Sequence, residues 1–384
     1  MIPYGKQNIS QDDIDAVVDT LQSDWLTQGP RIAQFEQALC AYTGSQHAIA
    51  VNSATSALHI ACLALGLGEG DILWTSPNTF VASANCALYC GAEVDFVDID
   101  PVTYNMCTTA LAQKLEVAEK QGRLPKIVVP VHFAGQSCDM QAIHALSQQY
   151  GFHIIEDASH AIGAAYQNET VGSCRYSDIT VFSFHPVKIV TTGEGGAALT
   201  NNAALAQTMQ MLRSHGITRD ANQFTQAADG DWDYQQISLG FNYRITDMQC
   251  ALGISQMKRL DDFIRQRHRI ADIYDKQLSE LDIITPQRDA ENYSSLHLYV
   301  IRLSKPDAPK RKQVYDAMRQ AGIGVNVHYI PVHTQPWYQA MGFRPGDFPE
   351  AEAYYASCLS LPMFPGLRKQ EQLAVINTLK QALQ

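Results

Sequence analysis

No Cys-x-x-Cys pair, no His-Glu-x-x-His motif and no basic run longer than the three residues Lys310 to Lys312 occurs in these 384 residues, and each absence removes a class of function. The nine cysteines are scattered; Cys86 and Cys90 stand four apart in an apolar helical run, which is a packing pattern. An odd count of this kind predicts reduced thiols, with neither disulfides nor zinc. The twelve histidines form no ligand-spaced cluster, so metal catalysis has no support in the sequence. A net charge of −11 and a pI near 5.5 argue against a polyanionic partner, and no basic arm of the kind used on nucleic acid is present. No apolar stretch is long and uninterrupted enough to cross a bilayer, and the opening MIPYGKQNISQDD holds no apolar targeting core. A soluble, cytoplasmic protein without nucleic-acid or membrane partners is expected.

What is there is ample material for two cores: 46% of the residues are apolar, and the chain is too long for one core of ordinary size. Strand patterns at His47 to Val51, Asp71 to Ser76, Glu93 to Val97, Lys126 to Pro130 and Phe152 to Ile155 alternate with helical ones, among them Ala57 to Leu65, Val81 to Tyr89 and Met140 to Tyr150. That alternation predicts an α/β fold with a mostly parallel, doubly wound sheet sandwiched by helices. From Thr246, with Gln249 completing a capping box, the apolar spacing predicts one long helix reaching about Leu281. It links a large domain, residues 1–250, to a smaller C-terminal α+β domain, residues 251–384, in which Leu296 to Leu303 and Ile323 to Tyr329 read as strands.

The chemistry gathers around Asp178 to Thr200. A β-branched run ends at Ser183, His185 and Pro186 break it, and Lys188 precedes the turn Gly193-Glu-Gly-Gly196 and a second apolar run. This reads as strand, lysine loop, hairpin and strand. A lone lysine in a loop is usually a solvated charge, so the weight comes from three upstream features. Asn52-Ser-Ala-Thr-Ser56 joins a strand to a helix, where unsatisfied N–H groups and the dipole favour a phosphate at Ala54 and Thr55. Phe80 supplies an aromatic face, and Asp157 ends a strand on the side where parallel sheets bind ligands. Gly66 to Gly70 follows a helix and lacks the dinucleotide fingerprint, so it is a helix end and loop.

Ser183-Phe-His-Pro-Val-Lys188 with Thr192-Gly-Glu-Gly-Gly196, Glu156-Asp-Ala-Ser-His160, Asn52-Ser-Ala-Thr-Ser-Ala-Leu58, Thr27-Gln-Gly-Pro30, Pro77-x-x-Phe80 and Gly240-x-Asn242-Tyr-Arg244 resemble the DegT/DnrJ/EryC1/StrS sugar aminotransferases nearly end to end. The resemblance implies a fold-type I, pyridoxal 5′-phosphate-dependent enzyme that works as a homodimer with a shared active site. It makes Lys188 the lysine that bonds the cofactor and Asp157 the partner of its ring nitrogen, with His160 near its phenolic oxygen. Ala54, Thr55 and Ser183 would bind the phosphate, Phe80 would stack on the ring, and Asn242 would reach the neighbouring subunit's phosphate. Some members carry Trp or Tyr where Phe80 stands.

More narrowly, Ile2-Pro-Tyr-Gly-Lys-Gln7, Thr191-Thr192 and Val327-His-Tyr329 resemble the branch of that family serving pseudaminic acid synthesis, with a UDP-linked 4-keto sugar and L-glutamate as substrates. That likeness implies sugar-nucleotide contacts at Tyr4, Asp24, Trp25, Leu26, Thr27, Ser53, Asn326, Val327, His328 and Tyr329. Taken singly, such aromatics and hydroxyls are as often packing or loop structure. Two rival classes are a non-catalytic regulator on the same fold, which would usually add a DNA-binding domain, and an oxidoreductase, which needs the missing glycine fingerprint. Family dehydratases replace the lysine by histidine, which Lys188 contradicts. An aminotransferase for another nucleotide sugar is the runner-up.

Overall fold

A computed structural model describes residues 1–288 and 292–384. Seven strands form the main sheet: β1 (His47–Val51), β2 (Ile72–Thr75), β3 (Glu93–Phe96), β4 (Ile127–Val129), β5 (His153–Asp157), β6 (Ile179–Ser183) and β7 (Gly196–Thr200). Their order across the sheet is β1-β7-β6-β5-β4-β2-β3. All pairs are parallel except those of β7, which runs against both β1 and β6. The expected mostly parallel sheet is therefore present, and β7 is antiparallel because the lysine hairpin returns it beside β6.

Helices cover both faces, which is why the strands read as nearly continuous apolar runs. Along β6, Ile179 and Val181 face a core with Ile49, Leu58, Phe96 and Ile155, while Phe182 faces another with Phe35, Leu39, Phe184 and Leu199. Each such fully buried side chain contributes about 1.5–3 kcal/mol. Outer helices α1 (Gln11–Leu21) and α2 (Pro30–Thr43) pack on the helix Asp247–Met257. The α3 helix (Ala54–Ala64) crosses β7, β6 and β5. Between the strands lie α4 (Ala82–Tyr89), α5 (Thr108–Gln121) and α6 (Met140–Tyr150), with α7 (Ala203–Arg213) after β7.

Two expectations about the second half need correction. The single long helix is two, α8 (Asp247–Met257) and α9 (Leu260–Leu278). Thr246 and Gln249 do form the capping box, but at Lys258 and Arg259 the N–H groups bond three residues back, to Ser255 and Gln256, and the helix breaks. Arg259 there turns its guanidinium to Asn8 and Asp13 on the opposite element. Leu260, Phe263 and Ile264 of α9 belong to the second core of the sheet, whereas Tyr274 and Leu278 belong to a third core, so one helix serves both.

That third core is closed by a small antiparallel sheet of β8 (Ile283–Ile284), β9 (Tyr299–Leu303) and β10 (Cys358–Leu361). Around it lie α10 (Ala308–Gln320), α12 (Pro349–Ser357) and α13 (Lys369–Leu383), whereas α11 (Pro336–Gln339) sets Tyr338 into the first core, against Phe96. Ile323 to Tyr329 is not a strand of it: it makes only isolated bridges, Ile323 to Ile2 and Asn326 to Ser360. The chain start is held there as well, for Gly324 N–H donates to Ile2 O at 2.6 Å and Met363 N–H to Tyr4 O at 2.9 Å. Residues from both ends of the sequence are thereby carried to the rim of the main sheet.

Candidate active site

The C-terminal ends of β1, β2, β5 and β6 open on one cavity of about 550 Å³. Ser183, Gly196 and Val51 are aligned across β6, β7 and β1, so the lysine hairpin and the turn before α3 meet there. Gly196 makes that possible: a Cβ at this position would lie 2.4 Å from Ala54 N. Gly193 takes a φ of +84°, which closes the hairpin. Helix α3 starts at Ala54, earlier than its apolar spacing suggests, with Ser53 Oγ accepting the Ser56 N–H at 3.1 Å. Ala54 and Thr55 are thus the first two helical positions, ahead of the N–H groups that Ser53 satisfies, and they line the cavity with Ser183.

Lys188 stands in the same wall, its backbone N–H bonded to His185 O at 2.9 Å in a tight turn. Burial drives its amine down from the ordinary lysine value of 10.5 to about 8, and Asp157 only partly opposes this. Asp157 is buried, with Oδ2 accepting from Ser83 Oγ at 2.6 Å and Oδ1 from the Ser159 N–H at 3.1 Å. Its neighbour Glu156 points to the opposite face, as strand alternation requires, and meets His132 Nε2 at 2.7 Å. Phe80 is 59% exposed and lines the cavity, with the Tyr329 ring 6.4 Å away between centroids.

The other wall comes from the chain start and from loops beside the small antiparallel sheet. Tyr4, His297, Asn326, Val327, His328 and Tyr329 all line the cavity. Ala134 N–H donates to His160 Nδ1 at 3.3 Å, which assigns the ring proton to Nε2, 3.0 Å from Tyr329 Oη. Burial, with Lys188 and His328 nearby, holds His160 well below the usual imidazole range, so it is a neutral donor. Tyr329 is held well above the usual phenol value by burial, with Asp157 and Tyr4 adding to it, and keeps its own proton to give to a ligand. Burial and Lys188 push His328 down to about 3. Its Nδ1 lies 2.8 Å from Ser360 Oγ. The cavity thus presents one easily deprotonated amine, one buried carboxylate, a second and exposed one at Glu194, and a set of polar groups.

Thirteen of the residues singled out in the sequence line this one cavity: Tyr4, Ser53, Ala54, Thr55, Phe80, Asp157, His160, Ser183, Lys188, Asn326, Val327, His328 and Tyr329. Asp24, Trp25, Leu26, Thr27 and Asn242 do not. They are held elsewhere: Thr27 bridges Thr246, Asp247 N–H donates to Leu26 O at 3.0 Å, and Asn242 bridges Ser214. All five are exposed, Trp25 to 54%. Sequence reasoning missed Thr79, Ser83, His297 and the pair at the mouth, His185 and Glu194, 3.9 Å apart. Hydroxyls four apart at a helix start flag Thr79 and Ser83; nothing in the apolar run around His297 flags it. Among the described residues no cluster of His, Cys, Asp and Glu could hold a metal ion, and no helix is long and apolar enough to cross a membrane.

Comparisons with known proteins agree with this geometry. Residues 7–380 match the profile of the DegT/DnrJ/EryC1/StrS aminotransferase family. The chain is 39% identical to the spore coat polysaccharide biosynthesis protein SpsC of Bacillus subtilis over 99% of its own length and 96% of that protein's. It is also 39% identical to the UDP-4-amino-4,6-dideoxy-N-acetyl-beta-L-altrosamine transaminase of Campylobacter jejuni, over 99% of this chain and 96% of that one. Among solved structures, the sugar aminotransferase Spr1654 of Streptococcus pneumoniae in its PMP form superposes with a TM-score of 0.91 at 30% identity, covering 100% of this chain and 99% of that one.

Proposed function

Because this chain belongs to the DegT/DnrJ/EryC1/StrS aminotransferase family, a pyridoxal-phosphate-dependent family, we propose that it moves the amino group of L-glutamate to C4 of a UDP-linked 4-keto-6-deoxy-N-acetylhexosamine. The product of this reading is UDP-4-amino-4,6-dideoxy-N-acetyl-β-L-altrosamine, the intermediate of pseudaminic acid synthesis. The observation that carries it is the meeting in one cavity of Lys188 with residues from both chain ends, Tyr4 and Asn326 to Tyr329.

The cavity's residues suit the cofactor. The start of α3 with Thr55 and Ser183 offers N–H and hydroxyl donors to a phosphate, the exposed face of Phe80 matches a flat ring, and Asp157 keeps acceptor capacity beyond its two donors. Bound there, pyridoxal phosphate supplies an electron sink for the carbanion that forms at glutamate Cα. Lys188, with its amine at about 8, is deprotonated in roughly one molecule in ten at pH 7, enough to act as nucleophile and base. Its Nζ takes the proton from glutamate Cα and later gives one to sugar C4, so the face of the sugar turned to Lys188 sets the stereochemistry. Tyr329 donates to the sugar, and neutral His160 and His328 do not oppose the positive charge on Lys188.

In the same reading two copies share their sites. Asn242 and the loop from Asp24 to Thr27 are exposed outside their own cavity, and they serve the cavity of the second copy. Mixed Lys188→Ala and Asn242→Ala chains then regain activity in heterodimers; no recovery after confirmed exchange argues against sharing. Equal identity to SpsC favours a second reading, an aminotransferase for another nucleotide-linked keto sugar such as a dTDP-4-keto-6-deoxyhexose. Specificity constants for the UDP-4-keto sugar and for dTDP-4-keto-6-deoxyglucose, both with glutamate, decide: preference for the dTDP sugar overturns the UDP assignment.

A further inference from the structure

Ser83 lies in the first turn of α4, wholly buried and behind the cavity wall rather than in it. Its Oγ is 2.6 Å from Asp157 Oδ2 and 2.8 Å from Thr79 Oγ1. The direction of both bonds follows from counting hydrogens. An ionised carboxylate only accepts, so the single Ser83 hydroxyl proton goes to Asp157, and the proton in the second bond must come from Thr79. Thr79 O–H, Ser83 O–H and Asp157 therefore form a one-way chain that ends on the carboxylate. Each bond in such a chain polarises the next.

The chain has a chemical property that a salt bridge would lack. A lysine or arginine at this place would fix Asp157 equally well, but its charge would disfavour a protonated ring nitrogen opposite. Two hydroxyls in series, with the neutral Ser159 N–H on Oδ1, hold the carboxylate in one rotamer and add no positive charge. Ser83 N–H also donates to Phe80 O at 3.2 Å, so the turn that presents the aromatic face also aims the hydroxyl. We propose that Ser83, extended by Thr79, is a positioning residue for amino transfer, holding the Asp157 carboxylate aimed at the cofactor's ring nitrogen. The inference rests on the assignment of Asp157 to that nitrogen.

The test uses holoenzyme loaded with ¹⁵N-ring-labelled cofactor. For Ser83→Ala, the ring-nitrogen resonance moves toward the unprotonated position and kcat with glutamate falls about tenfold, while the KM for glutamate holds within about twofold. Ser83→Thr restores both, and Thr79→Val moves both the same way by less. Asp157→Asn is run beside them. A resonance unmoved in Asp157→Asn removes the ring-nitrogen assignment and the inference with it. A resonance moved by Asp157→Asn but not by Ser83→Ala overturns the inference alone, leaving Ser83 as packing. Should Ser83→Ala fail to fold, Thr79→Val, close in shape to the original, decides: an unmoved resonance with unchanged turnover overturns the proposal.

Discussion

Asp157, Ser183, Ala54 and Thr55 stand within a few residues of the ends of β5, β6 and β1, whereas His297, His328 and Tyr329 reach the same cavity from loops of the small unit. The first wall is set by sheet register: Asp157 pairs with Val181, and Ser183 with Gly196. The second is set by latches between distant residues. Tyr329 N–H donates to Asn78 Oδ1 at 3.3 Å and Val332 N–H to Pro77 O at 2.9 Å. Tyr354 Oη donates to His328 O at 2.9 Å. Arg267, buried and without a carboxylate partner among the described residues, spreads its Nη1 over the carbonyls of Leu296, His297 and Met363 at 3.0–3.1 Å. One wall therefore moves only if the sheet does, and the other can be displaced by cutting a latch.

The largest expected effect belongs to the strand-end wall. Lys188→Ala abolishes amino transfer, by at least about a thousandfold, since nucleophile and base are removed together. Borohydride reduction of wild-type holoenzyme fixes the cofactor to the peptide containing Lys188, and label on another peptide refutes the assignment.

Cutting the latch comes second. Arg267→Met removes the donor from three buried carbonyls and costs about 2–4 kcal/mol of stability, read as a lower denaturant midpoint. Because the large wall is set separately, the surviving folded protein keeps its cofactor affinity within a few-fold while the KM for the sugar rises. Equal loss of both would show that the walls are not separable. Tyr329→Phe, a smaller cut in the same wall, lowers kcat/KM for the sugar several-fold, with the glutamate half-reaction little changed.

The smallest effect is in pH. In cofactor-free protein, folded His328 titrates at about 3 against 6.5 when free, so between those values the unfolded chain binds more protons and stability falls as pH falls. Folded Lys188 titrates at about 8 against 10.5, so across that window the unfolded chain again binds more protons and stability rises as pH rises. Melting temperatures across pH then separate the walls: His328→Asn flattens part of the acid limb and Lys188→Met the alkaline one. Buried His160 and His297, depressed in the same direction, keep the rest of the acid limb. Limbs unaltered in both variants would contradict the two shifts.

Much of the large unit was legible in the sequence because its signals are local. β-branched runs, the small polar turn Asn52 to Ser56, the Gly193 to Gly196 turn and the capping box at Thr246 each act within a few residues, and they sufficed to read the parallel sheet, the lysine hairpin and the candidates Ala54, Thr55, Asp157 and Lys188, to which the family resemblance added Ser183. The break at Lys258 and Arg259 was not legible, because apolar spacing continues through it; it goes with a guanidinium drawn to Asn8 and Asp13, some 250 positions away. Only the tertiary structure decided that Ile323 to Tyr329 is a bridge-held loop, that Ser83 stands behind Asp157 and that His297 faces His160, with ring centroids 4.4 Å apart. Only it, too, separated Asn242 and the loop from Asp24 to Thr27 from their own cavity. The physical reason is the same throughout: backbone propensity and strand period are written residue by residue, while the meeting of side chains from opposite ends of a chain exists only once the cores have formed.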